Sequence, residues 1–230
     1  MRAVLFDFDF TLVDSSAGIL DCFAYARARV GLPEVASEAT RRTIGLTLGE
    51  ALRALHGVDD PGLVSHFRAA FLERADAVMA ARAVLLDAAV ETLAALRAAG
   101  LATAVCSTKH RRQIERILRG LGLVHGFDAI VGAEDVVRHK PEPDALLLAL
   151  ERLRVEPARA VYVGDHRVDA QAAARAGMPF VAVLTGPSSR TDFEGHCVRD
   201  FLTSLAELPG ALGLVAGEAA RRDAAPGGTR

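Results

Sequence analysis

Short apolar runs alternating with helix-period segments constrain this chain more than any other feature. The runs Ala3–Phe6, Ala102–Cys106, Ala129–Val131, Ala160–Val163 and Phe180–Leu184 have strand length and end at turn or polar residues. Between them, Asp87–Ala99, Arg111–Leu121, Pro143–Arg154 and Val168–Ala176 repeat apolar residues at helical spacing. Asp87 reads as the N-cap of the first of these helices and Gly100 as its stop. Parallel strands need crossover helices, so the alternation predicts an α/β fold, a parallel sheet covered by helices on both faces. Such sheets bind ligands in the crevice beyond the carboxyl ends of their strands, and the polar clusters of this chain are all expected there.

The interval 15–83 breaks the pattern, with helical periodicity and no strand. Leu20, Phe23 and Arg27 set a helical phase, and Thr47-Leu48-Gly49-Glu50 reads as a capping box. Asp60-Pro61 supplies an N-cap and a first-turn proline ahead of Leu63, Phe67, Phe71 and Val78. The expected organisation is a core of residues 1–14 and 84–212, an inserted all-helical cap of residues 15–83, and a frayed tail at 213–230. Hinges for the cap are expected at Val13–Ala17 and near Ala81–Asp87.

Composition narrows the class. Of 230 residues, 51% are hydrophobic and 24% charged, enough for a sizeable core and too apolar for disorder. A net charge of −2 gives no attraction to nucleic acid or an anionic membrane. The three cysteines (Cys22, Cys106, Cys197) lie far apart without a CxxC pair, which suits a reducing cytosol better than a disulfide framework or a zinc site. No stretch reaches membrane-spanning length, and the N-terminus enters a strand pattern at once. The expectation is a cytoplasmic enzyme, monomer or homodimer, with no nucleic-acid or membrane partner.

Four polar clusters carry the chemistry. Asp7-Phe8-Asp9-Phe10-Thr11 follows the first apolar run, and its paired carboxylates are costly to bury unless a cation or reacting group uses them. Phosphate monoesters repel nucleophiles; a divalent cation lowers that repulsion, and a carboxylate then accepts the phosphoryl group as an aspartyl phosphate. Asp9 is placed to protonate the leaving oxygen and then to deprotonate water. Ser107-Thr108-Lys109 ends the second run and precedes a helix, where a hydroxyl and free N–H groups make an anion site. The run Lys109-His110-Arg111-Arg112 opposes the dipole of that helix, either to attract an anionic substrate or as a solvated turn. Lys140-Pro141-Glu142-Pro143 offers one ammonium to a transferring phosphoryl group. In Gly164-Asp165-His166-Arg167-Val168-Asp169, Asp165 suits a hard cation and Asp169 a supporting position. Each cluster alone reads as a turn or a cap; four in this order, each expected at a strand end, read as one phosphoryl-transfer site. There is no GxxxxGK[ST] or GxGxxG phosphate loop.

These residues resemble the motifs of the haloacid dehalogenase superfamily in its phosphatase branch. Asp7-Phe8-Asp9-Phe10-Thr11-Leu12 matches the first motif, Ser107 the second, Lys140 with Pro141 and Pro143 the third, and Gly164-Asp165 with Asp169 the fourth. The placement of the helical insertion, Val13-Asp14-Ser15, Ile44-Gly45-Leu46-Thr47-Leu48 and Ala173-Ala174-Arg175-Ala176-Gly177-Met178 are similar to the phosphoglycolate phosphatase-like subgroup. The resemblance implies a Rossmann-like core, a mobile helical cap, Mg²⁺ and a small phosphorylated metabolite as substrate. It implies Asp7 as nucleophile and Asp9 as acid/base. Ser107 and Lys140 would hold phosphoryl oxygens, with Phe10, Thr11 and Thr108 beside them at the substrate. Metal ligands would be Asp7, the Asp9 carbonyl and Asp165, with Asp169 supporting. Asp9 argues against dehalogenase chemistry. Pyrophosphate hydrolysis, phosphosugar mutase activity and a non-catalytic binding module are the alternatives. The absence of a basic residue in Gly45-Leu46-Thr47-Leu48 speaks against a mutase. Three positions depart from the common pattern: Phe10 stands where glycine is frequent, Thr108 where asparagine is, and His166 in place of a small polar residue. His166 is expected at the surface, capping the next helix, or titrating near the metal.

Overall fold

The computed structural model describes residues 1–123 and 125–214. Along the chain, β1 (Ala3–Phe6) is followed by β2 (Val13–Asp14) and four helices: α1 (Ser16–Arg29), α2 (Ser37–Arg41), α3 (Leu48–His56) and α4 (Pro61–Arg82). Then come β3 (Val84–Leu85), α5 (Ala89–Ala98), β4 (Ala102–Cys106), α6 (Arg111–Gly120), β5 (Ala129–Val131) and α7 (Asp144–Leu153). The described chain closes with β6 (Ala160–Gly164), α8 (Arg167–Ala176), β7 (Phe180–Val183), β8 (Asp200–Leu202) and a one-turn helix, α9 (Leu208–Ala211).

Six strands form one parallel sheet in the order β5-β4-β1-β6-β7-β8. Alternation along a strand sends successive side chains to opposite faces, and here both faces are covered. Val4 and Phe6 of β1 join one apolar cluster with Val161 and Val163 of β6, while Ala3 and Leu5 join the other with Ala160 and Tyr162. This double burial explains why the strands read as continuous apolar runs. It also puts β1 between β4 and β6, so the residues leaving these three strands emerge side by side.

The local signals for α3 and α4 hold. The Thr47 hydroxyl accepts from the Glu50 N–H at 3.3 Å while the Thr47 N–H donates to the Glu50 carboxylate at 2.9 Å. Asp60 accepts from the Leu63 N–H at 2.6 Å, with Pro61 in the first turn. Helices α1 and α4 pack through Phe23 and Phe67, ring centroids 4.9 Å apart.

Several expectations are corrected. Asp87 does not cap α5: the residue before that helix is Ala88, at φ 63°, and no side chain caps it. Gly100, at φ +71°, does end the helix region as expected. An antiparallel ribbon, β2 with β3, and a sixth sheet strand, β8, were not foreseen, because two or three residues carry too little periodicity to register. Apart from Gly213 and Leu214, the expected tail lies outside the described residues. Among the described residues no helix is long and apolar enough to cross a membrane.

Candidate active site

Asp7, Ser107 and Asp165 each follow the last residue of β1, β4 and β6. Main-chain bonds continue the sheet past its strands: the Asp7 N–H donates to the Val163 carbonyl at 2.8 Å and the Ser107 N–H to the Val131 carbonyl at 3.1 Å. The strand order therefore converges residues that are far apart in sequence. Lys140 is the exception. It lies on the loop well past β5 and just ahead of α7, not at a strand end as expected.

Lys140 is nevertheless the centre of the cluster. Its ammonium lies 2.8 Å from Asp7 Oδ1 and 2.6 Å from Asp169 Oδ1, and donates to the Tyr162 hydroxyl at 3.2 Å. The three partners match the three N–H bonds of an ammonium and hold it in one direction. Tyr162 is fixed in turn, donating to the Cys106 carbonyl at 2.9 Å. Sequence reading missed Tyr162; the available signal was a hydroxyl inside an otherwise apolar strand, since a buried tyrosine needs a partner.

Asp7, Asp165 and Asp169 bring carboxylate oxygens within 4.8 Å of one another, all of them buried. Ionised together, the three carboxylates against the one Lys140 ammonium would carry a net charge of about −2 in a desolvated site, which an added cation would offset. Burial raises the Asp7 pKa above the ordinary carboxylate value, Lys140 opposing and Asp169 adding to the rise. Asp165 is raised well above it, by burial first and then by the Asp169 and Asp7 charges. Lys140 loses hydration through burial, yet Asp169 and Asp7 outweigh that loss and hold its pKa above the usual lysine range. Asp165 Oδ2 is buried without a hydrogen bond. Hard oxygen donors with a twofold charge deficit fit a divalent cation such as Mg²⁺. Gly186 leaves the room: a Cβ there would fall 2.0 Å from Asp165 Oδ2.

Asp9 belongs to a second, separate pair. Its carboxylate accepts from the Ser15 hydroxyl and lies 3.2 Å from the Lys109 ammonium. Burial raises its pKa, with Lys109 and the Ser15 bond pulling back. The basic run after β4 divides: Lys109 turns into the site, while Arg111 and Arg112 lie exposed on a solvated surface. Lys109 meets Asp9, His110 lies 3.4 Å from Glu134, Arg111 pairs with Asp135, and Arg112 with Asp76. Ser15 was not among the expected site residues, and Lys109, expected as part of an anion site, is instead the partner of Asp9.

Phe10 takes a left-handed backbone at φ 57°, the conformation that accounts for glycine in that place. Its ring is buried beneath the Arg41 guanidinium, 4.6 Å from the ring centroid, and its carbonyl accepts from the Thr185 hydroxyl. Thr11 is buried with its hydroxyl unpartnered, and the Thr108 hydroxyl donates to the Gly45 carbonyl at 3.2 Å, joining the α2–α3 connection to the loop after β4. His166 does cap α8, accepting from the Val168 N–H at 3.3 Å, but it is buried rather than at the surface. Burial, with Lys140 and Arg167 nearby, pushes its pKa down to about 4.

The haloacid dehalogenase-like hydrolase family model matches residues 4–183, which contain every cluster above. This chain belongs to that family. Among its relatives, the N-acetylmuramic acid 6-phosphate phosphatase of Pseudomonas aeruginosa is 32% identical over 203 residues, 88% of this chain and 90% of that protein. The phosphoglycolate phosphatase of Escherichia coli is 32% identical over 207 residues, 81% and 82% of the two chains. The crystal structure of a haloacid dehalogenase-like hydrolase from Bacteroides fragilis superposes with a TM-score of 0.87 at 38% identity, covering 90% of this chain and all of that one. As a member of this family the chain is a phosphatase on a Rossmann-like sheet.

Proposed function

We propose that this hydrolase cleaves a small phosphomonoester through an aspartyl phosphate on Asp7. The observation that carries the reading is the buried group of Asp7, Asp165 and Asp169 around the Lys140 ammonium, 2.8 Å from Asp7. Asp7 attacks phosphorus, forming the Asp7–phosphorus bond as the bond to the leaving alkoxide breaks. Asp9 gives that oxygen a proton; its raised pKa favours the protonated form this step needs. Asp9 then takes a proton from water, which attacks phosphorus, releases inorganic phosphate and restores Asp7. Lys140 and Ser107 hold phosphoryl oxygens, with Thr108, Thr11 and Phe10 shaping the surrounding wall. Asp7, Asp165 and the Asp9 carbonyl would hold Mg²⁺, with Asp169 behind them, and the ion would supply positive charge that lowers the repulsion between nucleophile and phosphate.

Residues 15–83 act as the cap on a core of residues 1–14 and 84–212, hinged near the β2–β3 ribbon, and close over bound substrate to exclude water. The substrate is a small phosphorylated metabolite of the cytoplasm; 2-phosphoglycolate is the first to try, given the name of one relative. The test is phosphate release from a panel of phosphomonoesters and pyrophosphate, with Mg²⁺ or EDTA, beside Asp7→Asn. Release that needs both the metal and Asp7 is expected. Equal turnover by Asp7→Asn would refute the mechanism, and preferred release from pyrophosphate would refute the substrate class.

A further inference from the structure

Tyr162 lies in the middle of β6, and its hydroxyl joins three of the four polar clusters. It lies 3.2 Å from the Lys140 ammonium and 3.2 Å from Asp169 Oδ1, and it donates to the Cys106 carbonyl at 2.9 Å. That carbonyl belongs to the peptide that carries the Ser107 N–H. A phenol has one proton, and the shorter contact assigns it to Cys106. The oxygen lone pairs then face the ammonium, whose other N–H bonds go to Asp7 at 2.8 Å and Asp169 at 2.6 Å. Burial, then the Asp169 and Asp7 charges, raise the Tyr162 pKa well above its ordinary value, so the phenol keeps its proton. The residue is fully buried, and its ring lies 6.1 Å from that of Phe180 in the apolar layer with Leu5 and Met178. A phenylalanine would serve that packing. The buried hydroxyl needs polar partners, and all three of them belong to the site.

We infer that Tyr162 is a positioning residue for phosphoryl transfer, its hydroxyl setting the Lys140 ammonium and the Ser107 peptide in the arrangement that fits phosphorus in the transition state. This role rests on the phosphatase reading of Asp7 and Lys140. As Asp7 bonds to phosphorus its carboxylate loses its charge, its hold on Lys140 weakens, and that N–H turns to a phosphoryl oxygen. Asp169 and Tyr162 keep their contacts, and two anchors fix both the place of Nζ and its rotation about the Cε–Nζ bond. With Asp169 as the single anchor, the ammonium is drawn toward that carboxylate and away from phosphorus. A neutral phenol supplies the second anchor without adding negative charge beside an anionic substrate. A loosely placed donor still finds a ground-state phosphate, whereas the transition state needs it in one place.

The experiment compares wild type with Tyr162→Phe on the phosphomonoester that wild type turns over fastest, with Mg²⁺ present. Inhibition by inorganic phosphate and by orthovanadate, a trigonal-bipyramidal mimic, is measured on both proteins. For Tyr162→Phe, kcat should fall about 10–100-fold with KM unchanged. Orthovanadate should bind more weakly by a similar factor, while phosphate binds as before. Phe180→Leu, which loosens the same ring stack and keeps the hydroxyl, should leave kcat and both inhibition constants as in wild type. If Tyr162→Phe does not fold, Tyr162→Met, another side chain without a hydroxyl, takes its place. A wild-type kcat in Tyr162→Phe overturns the inference. Equal loss of phosphate and orthovanadate binding, or an equal fall of kcat in Phe180→Leu, also overturns it by making Tyr162 structural only. Recovery of kcat at higher Mg²⁺ overturns it as well, by assigning the effect to Asp169 and the metal. All of these leave the phosphatase reading standing, whereas no release by wild type from any phosphomonoester overturns both.

Discussion

Phe10 sets a backbone preference against side-chain burial, and the two can be separated by substitution. A side chain in the left-handed region costs about 1–2 kcal/mol, which glycine does not incur. Against that, the ring is about 1% exposed and carries the Arg41 guanidinium at 4.6 Å. Truncating a buried phenylalanine to alanine costs about 3–5 kcal/mol, and a half-exposed cation–π contact adds about 0.5–1 kcal/mol. Phe10→Ala loses the ring and keeps the strain, so it should be destabilised by about 4 kcal/mol. Phe10→Gly loses the ring and relieves the strain, less glycine's own entropy cost of about 0.5–1 kcal/mol. It should therefore lie about 0.5–1 kcal/mol above Phe10→Ala. Elsewhere glycine is the less stable of the two, so the inverted order is diagnostic. Urea unfolding followed by circular dichroism reads all three proteins. Wild type should be most stable and alanine least. Phe10→Ala equal to or above Phe10→Gly would refute the claim that residue 10 carries backbone strain.

Lys140→Met removes the one ammonium among Asp7, Asp165 and Asp169; leaving these charges unpaired should cost about 3–5 kcal/mol in urea unfolding as well as turnover. A midpoint equal to wild type would contradict the charge deficit. Gly186→Ala puts a Cβ 2.0 Å from Asp165 Oδ2, and should weaken Mg²⁺ about 10–100-fold, measured as the concentration for half-maximal thermal stabilisation. An unchanged Mg²⁺ titration would show that Asp165 does not bind it. His56 stacks on Phe23 and is buried enough, with Arg27 nearby, to lower its pKa below the ordinary value. The unfolded chain therefore takes up the proton first, and stability should fall as pH drops through the ordinary histidine pKa toward the lower folded one. His56→Gln should flatten that fall in Tm; an identical pH profile would assign the slope to other groups.

The parallel α/β architecture was legible because β1, β4 and β6 are buried on both faces and must be apolar throughout, and because turns and caps such as Thr47–Glu50 and Asp60-Pro61 act over a few residues. The carboxylates Asp7, Asp9, Asp165 and Asp169 were legible for a related reason: charged groups beside apolar runs have few uses other than chemistry. The ribbon β2–β3 and strand β8 were not, since strands of two or three residues exist only by pairing with distant partners. The same holds for Asp87, whose capping propensity gave way to a left-handed Ala88.

Sequence thus determined which side chains are available for catalysis and which runs become strands, because propensity, periodicity and the cost of burying charge act locally. Tertiary structure alone decided which groups meet. Strand order set Asp7 beside Asp165, and the loop before α7 carried Lys140 back between Asp7 and Asp169. It also bound Lys109 to Asp9, aimed Tyr162 at the Lys140 ammonium and seated Arg41 on Phe10. Pairing energies at 3–5 Å depend on distance and burial, and neither is set until the whole chain has folded.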